Sequence, residues 1–315
     1  MPDSPALLVI GECVADIVRT PGAPDRTHPG GSPANVAYGL ARLGRDTTLL
    51  TQLGPDADGR LIRDHLASAG VRVLTDGSQA PTPAATVELD DQGRATYTFA
   101  ITWTLGAVER PGEPPQHVHT GSIATGLEPG AGTVLDLVES LRPAATVSYD
   151  PNVRPALMGD HTRAVRRAER LVSVSDVVKA SDEDLRRLYP QETPERSAAR
   201  WQRSGPAVVL LTMGAEGALA FLRDTVVRVG APPVHIEDTV GAGDAFMSGT
   251  LHALASHGLL GARGRTRLRS LDPAVLGDVL RHAVAAAAVT VGRAGALPPD
   301  REELATALTS VTAPE

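Results

Sequence analysis

Cysteine occurs once in this sequence, at Cys13, which excludes an internal disulfide and any multi-cysteine metal or iron–sulfur site. Such usage predicts a reducing, cytoplasmic compartment. Aromatic side chains make up only 3% of the chain, so there are few platforms for stacked bases and aliphatic packing must supply the core. Basic groups are in deficit: 30 Lys and Arg against 37 Asp and Glu give a net charge of −7, which argues against general binding to nucleic acid or an anionic membrane. No apolar run approaches the roughly 18 residues of a membrane span, and the amino terminus lacks the pattern of a signal peptide. The mature protein is therefore expected to be the whole chain. Lysine is also nearly missing: Lys179 is the only one, and every other basic residue is arginine.

What is present reads as α/β. The 315 residues allow two domains, or one large α/β unit with an insertion, at roughly 150 residues per domain. Leu7 to Ile10 is a short apolar run ended by Gly11, as in a buried parallel strand, with a loop expected from Gly11 to Asp16. A helix is predicted to follow, capped by Ser32, with Pro33 in its first turn and Gly44 as its stop. Thr47 to Leu53 then reads as a strand and Asp56 to Ala69 as a helix. Strands are expected again at Val118 to Ile123, Thr146 to Tyr149, Val174 to Val178 and Ala207 to Thr212. This alternation predicts a mainly parallel central sheet covered by helices on both faces. Ala218 to Phe221 and Val226 to Val229 read as an edge hairpin, and two apolar helices are expected after Gly243, the second over Pro273 to Val291.

One stretch breaks the alternation. Between Ala85 and Ile101 the pattern has period two around Asp90-Asp91-Gln92-Gly93, the signature of an antiparallel hairpin with Tyr97, Phe99 and Ile101 on one face. An inserted hairpin in an α/β chain is a candidate lid, built here from about residues 85–103. No internal repeat or low-complexity linker marks a second domain, so residues 1–315 are read as one unit. Arg263, Arg265, Arg267 and Arg269 form a basic cluster, expected to be a solvated surface loop.

The strongest local signal is Asp238-Thr239-Val240-Gly241-Ala242-Gly243-Asp244 at the start of an apolar helix. The amides of Gly241, Ala242 and Gly243 at a helix start make an anion cradle, and Asp244 in the first turn could take a proton from a hydroxyl beside it. The competing reading is an acid that only complements the helix dipole. There is no Gly-Lys-Ser/Thr for a P-loop, and Phe246 stands where a dinucleotide fingerprint needs glycine. A second signal is Gly30-Gly31-Ser32-Pro33-Ala34-Asn35, whose backbone can lie against a polyol while Asn35 offers a donor and an acceptor. Asp16 adds a carboxylate after the first strand. His117-Val118-His119 would place two imidazoles on one strand face, read as a packed pair, and Cys13 as a small core residue.

These two segments, in this order and spacing, resemble the two signatures of the PfkB or ribokinase-like carbohydrate kinases. The resemblance extends over Gly54 to Gly59, Asp150-Pro151-Asn152-Val153-Arg154-Pro155 and Leu211 to Gly217, nearly the whole chain. It implies a ribokinase-like α/β fold with a small β lid, and transfer of the γ-phosphoryl of ATP, with Mg²⁺, to a sugar hydroxyl. By that resemblance Asp244 is the general base, Gly241, Ala242 and Gly243 are the anion hole, and Asp16, Gly30, Gly31, Asn35 and Arg154 contact the sugar. Lys179, Thr212, Gly214 and Gly217 fall on the nucleotide side. The Asp150 to Arg154 stretch is similar to that of fructokinases and of 2-keto-3-deoxygluconate kinases, so fructose leads, with 2-keto-3-deoxygluconate, ribose and a nucleoside as alternatives. The family's Asn-x-x-Glu appears as Ser181-Asp182-Glu183-Asp184, which puts the acid that helps place the metal at Asp184, with Glu183 as the alternative. Val284 replaces a common asparagine, and the loop Arg293 to Ala296 keeps part of a pattern that implies a potassium ion bound with Asp238. A lid face could pair two subunits. A sugar-binding regulatory protein on the same fold is the reading of another class.

Overall fold

A computed structural model describes residues 6–311, apart from 21, 90–94, 107–113, 158 and 224. The strands are β1 (Leu7–Ile10), β2 (Val14–Arg19), β3 (Arg26–Gly30), β4 (Thr47–Thr51), β5 (Arg72–Thr75), β6 (Ala84–Leu89), β7 (Ala95–Ala100), β8 (His117–Gly121), β9 (Thr146–Asp150), β10 (Val177–Ser181), β11 (Val208–Thr212), β12 (Ala218–Leu222) and β13 (Thr225–Val229). The helices are α1 (Ser32–Arg42), α2 (Ala57–Ser68), α3 (Ser122–Gly126), α4 (Gly130–Leu141), α5 (His161–Val174), α6 (Asp182–Leu188), α7 (Pro194–Arg203), α8 (Ala242–Ser256), α9 (Gly261–Arg269), α10 (Pro273–Val291) and α11 (Arg301–Leu308).

The central sheet has nine strands in the order β13-β12-β11-β10-β9-β8-β1-β4-β5, parallel except for β12 and β13 at one edge. Its inner strands are buried on both faces, which is why β1 reads Leu-Leu-Val-Ile without alternation. Leu7 and Val9 face a core shared with α1, α8 and α10, while Leu8 and Ile10 join Val118, Val147, Val134 and Val138 on the other face. The close packing of α8 on α10 depends on Gly249, where a Cβ would lie 2.8 Å from the carbonyl oxygen of His282. Helix α10, with 19 residues and a mean hydropathy of 1.5, is long and apolar enough by those measures to cross a membrane, contrary to the reading of the sequence. Here its Leu280, Ala283 and Ala286 are buried in the core.

The second sheet has four strands in the order β3-β2-β6-β7. Its β6–β7 half is the antiparallel hairpin expected from the period-two pattern, although the turn Asp90 to Gly93 lies outside the described residues, as does the side chain of Tyr97. The hairpin ends earlier than residue 103: Trp103 and Leu105 are buried in the main body. The other half corrects the sequence reading, since Asp16 lies in strand β2 and not in a loop. Asp16 pairs across to His28 on β3, and Ala15 to Arg19 run parallel to β6. Only Gly11 to Cys13 separate β2 from β1, so the small sheet grows directly out of the carboxyl end of the central one.

Two further readings change. Val174 ends α5, and the strand begins at Val177. The arginine cluster is helix α9, not a loop, because Arg265 donates to both oxygens of the buried Asp176 and so ties the helix down under β9 and β10.

Candidate active site

Helix α8 is entered through Gly241, whose φ of 76° lies in the left-handed region and whose Cβ, if it had one, would stand 2.5 Å from the Cβ of Ala296. No side chain caps the helix. The Ala242 N–H turns back to the carbonyl of Thr239 at 3.3 Å, so Gly243 and Asp244 carry the more open amides of the first turn. Asp238 fixes the approach to this turn: its Oδ1 accepts from the Val240 amide at 2.9 Å and its Oδ2 from the Gly295 amide at 3.0 Å, joining two loops separated by 57 residues.

Asp244 is held from both sides. Ser32 Oγ donates to its Oδ1 at 2.6 Å, and Asn35 Nδ2 donates to its Oδ2 at 2.8 Å. The carboxyl is only 8% exposed, and burial raises its pKa, opposed by Ser32 and Asn35 and then by the charges of Lys179 and Arg154. The Ser32 contact corrects the sequence reading, which made Ser32 the cap of α1. Gly31 occupies the cap position instead, no side chain caps α1, and the hydroxyl is spent on Asp244. A Ser-Pro pair at a helix start looks like a cap, and nothing local shows a partner 212 residues away.

Lys179 lies beside the same turn. Its Nζ donates to Asp150 Oδ2 at 2.9 Å, and a Cβ on Gly243 would be 2.8 Å from it. Burial works against the ammonium charge, but Asp150, Asp184 and Asp244 outweigh it and raise the pKa, so Lys179 is a buried cation beside the start of α8. Burial pushes Asp150 up to about 6, against the pull of Lys179. Sequence reasoning gave Asp150 no role of its own. The register supplies it, since Tyr149 stands opposite Val178 and the next positions are Asp150 and Lys179.

Asp184 is buried, and its oxygens are already engaged. Oδ1 accepts from the Val153 amide at 2.8 Å, while Oδ2 accepts from the Ser181 amide and hydroxyl at 2.9 and 2.7 Å in a reciprocal cap of α6. It thereby anchors the Asp150 to Arg154 stretch. Glu183, the alternative acid, is 68% exposed and paired with Arg187. Among the described residues no three His, Cys, Asp or Glu side chains gather as a metal cage.

Asp16 and Arg154 interact through charge. A Cβ on Gly30 would fall 2.0 Å from Asp16 Oδ2, so the glycine is what lets the carboxylate lie flat on β3. Burial raises the Asp16 pKa to about 6, opposed by His28 and Arg154. The exposed Arg154 guanidinium carries a charge that lowers the pKa of Asp16 and of Asp244 alike. Gly31 has a φ of 102°, and a side chain there would strike the carbonyl of Glu12 at 2.5 Å. Thr212, Gly214 and Gly217 form the tight turn after β11. Thr212 is level with Ser181, and a Cβ on Gly217 would meet the Val229 carbonyl at 2.1 Å. No side-chain hydrogen bond joins this turn to the Asp244 cluster among the described residues.

Sequence reasoning also passed over Glu12. It is buried after β1, with Oε2 accepting from the Ala124 amide at 2.8 Å and Oε1 without a partner, and burial pushes its pKa to about 7. The His117 and His119 pair is packed as expected, both rings bonding Ser148 and His117 also bonding Thr146, with burial lowering both pKa values to about 3. Cys13 is a buried core thiol pushed up to about 12.

A nine-stranded mainly parallel sheet, a small β sheet over its carboxyl end, and a buried carboxylate at a glycine-lined helix start together define the sugar-kinase class of phosphotransferase. The chain belongs to the pfkB family of carbohydrate kinases, whose family model matches residues 5–303. It is 34% identical over 306 residues to a fructokinase of Salmonella typhimurium, covering 93% of this chain and 96% of that one. Over 261 residues it is 35% identical to a fructokinase of Klebsiella pneumoniae, covering 80% and 85%. Its fold is ribokinase-like and superposes on the fructokinase of Xylella fastidiosa with bound ATP at a TM-score of 0.82, with 26% identity and 96% and 98% of the chains covered. Aminoimidazole riboside kinase of Salmonella enterica, complexed with aminoimidazole riboside and an ATP analog, gives 0.78 at 25% identity, covering 96% and 99%.

Proposed function

We propose that this chain is a fructokinase that transfers the γ-phosphoryl group of MgATP to a hydroxyl of fructose. The observation that carries the reading is the placement of Asp244, held by Ser32 and Asn35 beside open helix amides and the buried Lys179. The hydroxyl oxygen attacks the γ-phosphorus, the bond to the β–γ bridging oxygen breaks, ADP carries away the electron pair, and the hydroxyl proton passes to Asp244. In this reading Gly241, Ala242 and Gly243 line the anion hole, with the Gly243 amide its open donor, and with the Lys179 ammonium they face the charge that the equatorial oxygens carry in the transition state. Asp16, Gly30, Gly31, Asn35 and Arg154 hold the sugar, and Thr212, Gly214 and Gly217 hold the nucleotide.

Asp184, fixed by the Val153 amide and by Ser181, would help hold a Mg²⁺ ion, which would offset the charge of the nucleotide phosphates. A potassium ion would be held by Asp238 and the Arg293 to Ala296 loop, which Asp238 already draws together. The small sheet acts as a lid that excludes water, and its Phe99, 42% exposed, supports pairing with a second copy of the chain. The lone buried Cys13 and the use of ATP support a cytoplasmic location.

The test is ADP release from MgATP with fructose, 2-keto-3-deoxygluconate, ribose and nucleosides, with and without potassium, alongside Asp244→Asn. Turnover should be highest with fructose, and the variant should lose roughly 10²–10⁴-fold in kcat while still binding nucleotide. Near-normal turnover in Asp244→Asn would overturn the assignment. Sugar binding without turnover in the wild type would favour a regulatory protein instead.

A further inference from the structure

At the opposite end of α8 from Asp244 lies a second cavity of about 350 Å³, lined by polar and apolar groups together. Its walls come from four places in the chain: Arg45 after α1, His252 and Ser256 on α8, His282 on α10, and Arg301 with Leu304 on α11. His252 is eight residues beyond Asp244, roughly 12 Å along the helix, so the cavity is separate from the cleft above the sheet.

Its donors are only partly used. Arg45 donates through Nε to His252 Nδ1 at 3.1 Å and through Nη2 to the His252 carbonyl at 2.8 Å and to Ser256 Oγ. Arg301 donates through Nε to the Leu43 carbonyl and through Nη2 to that of Gly44, closing the end of α1. These contacts account for the Nε and Nη2 groups and leave the Nη1 of both arginines without a partner among the described residues. Because His252 Nδ1 accepts a hydrogen bond, its ring proton sits on Nε2 and adds a further donor.

The charge balance is one-sided. Neither Arg45 nor Arg301 forms an ion pair among the described residues, although the two are close enough for Arg301, after burial, to lower the pKa of Arg45. The carboxylate that approaches the cavity is Asp278, with Oδ2 at 3.7 Å from His282 Nδ1, and it is engaged by His257 Nε2 at 2.9 Å. His252 is held neutral, its pKa lowered to about 3 by burial and then by Arg45, His282 and Arg301.

We propose that this cavity is a binding site for a small phosphate-bearing dianion, with the free Nη1 groups of Arg45 and Arg301 and the Nε2–H of His252 as its donors. Guanidinium N–H groups with a neutral ring donor suit phosphate oxygens, and a dianion supplies the counter-charge to the two arginines that the fold leaves out. Leu304 and Leu308 line one wall, giving an organic group on the phosphate a surface to rest on.

The experiment is a titration of the labelled full-length protein with inorganic phosphate, then with fructose 6-phosphate, following the imidazole Cε1–H resonances of His252 and His282, with potassium chloride as the ionic-strength control. Both signals should move and saturate in the millimolar range or below. Arg45→Gln and Arg301→Gln should each weaken binding about tenfold or more, and Arg301→Lys, which keeps the charge but not the Nη1 donor, should fall between. Tighter binding of fructose 6-phosphate than of inorganic phosphate identifies a phosphorylated sugar as the ligand, and equal affinity identifies free phosphate. Resonances that stay fixed to tens of millimolar phosphate, or that move as much with chloride, overturn the proposal without touching the kinase assignment, and this reading needs only the wild-type protein.

Discussion

Replacing Lys179 by methionine tests the electrostatics of the cleft most sharply. Lys179 and Asp150 are 4% and 1% exposed and meet at 2.9 Å, with Asp184 and Asp244 also acting on the ammonium. Removing one member of such a buried pair leaves an uncompensated charge and costs about 3–5 kcal/mol. Protonation offers an escape, because burial already holds Asp150 at about 6 with the ammonium present, and losing that cation raises it further. A carboxyl whose folded pKa is raised destabilises the fold in full above that pKa, and the penalty fades as pH falls toward the unfolded value near ~3.9. Lys179→Met should therefore lose about 3–5 kcal/mol relative to the wild type at pH 8 and clearly less at pH 5. Urea denaturation followed by the fluorescence of the buried Trp103 and Trp201 measures both. The double variant with Asp150→Asn should recover most of the loss at pH 8. A deficit equal at the two pH values, or a double variant no more stable than the single one, would refute the reasoning.

Two further outcomes follow from the same geometry. With the Asp16 pKa at about 6, protonation below that pH removes an acceptor, so KM for fructose should rise as pH falls through 6. Asp16→Asn should abolish that dependence and raise KM roughly tenfold to a hundredfold, as steady-state kinetics across pH would show. Ser32→Ala removes the 2.6 Å donor to Asp244 and one of the groups that hold its pKa down. The acid limb of kcat should move to higher pH and kcat near neutrality should fall about tenfold, with little change in urea stability.

Local chemistry carried much of this protein into view. The parallel strands, the edge hairpin, α10 and the glycine-lined start of α8 are legible because each rests on a run of residues with its own period or turn chemistry. What escaped was non-local. Strand β2 contains Asp16 and looks like a loop in sequence, because its six residues are stabilised by β3 and β6 and only partly by their own pattern. The arginine cluster looked solvated because its partner, Asp176, lies 89 residues from Arg265. Ser32 was misassigned for the same reason, and Glu12 gave no signal at all, its buried neighbours being backbone amides of α3.

The base of the cleft is assembled from the first and last thirds of the chain, since Ser32 and Asn35 meet Asp244 across 212 and 209 residues. During synthesis, then, the segment that carries Ser32 and Asn35 emerges from the ribosome long before its carboxylate does. A nascent chain halted anywhere before Asp244 carries the hydroxyl and amide donors but lacks the acceptor they hold. With Asp244 as the base proposed above, phosphoryl transfer would begin only once the late helix docks against Ser32 and Asn35.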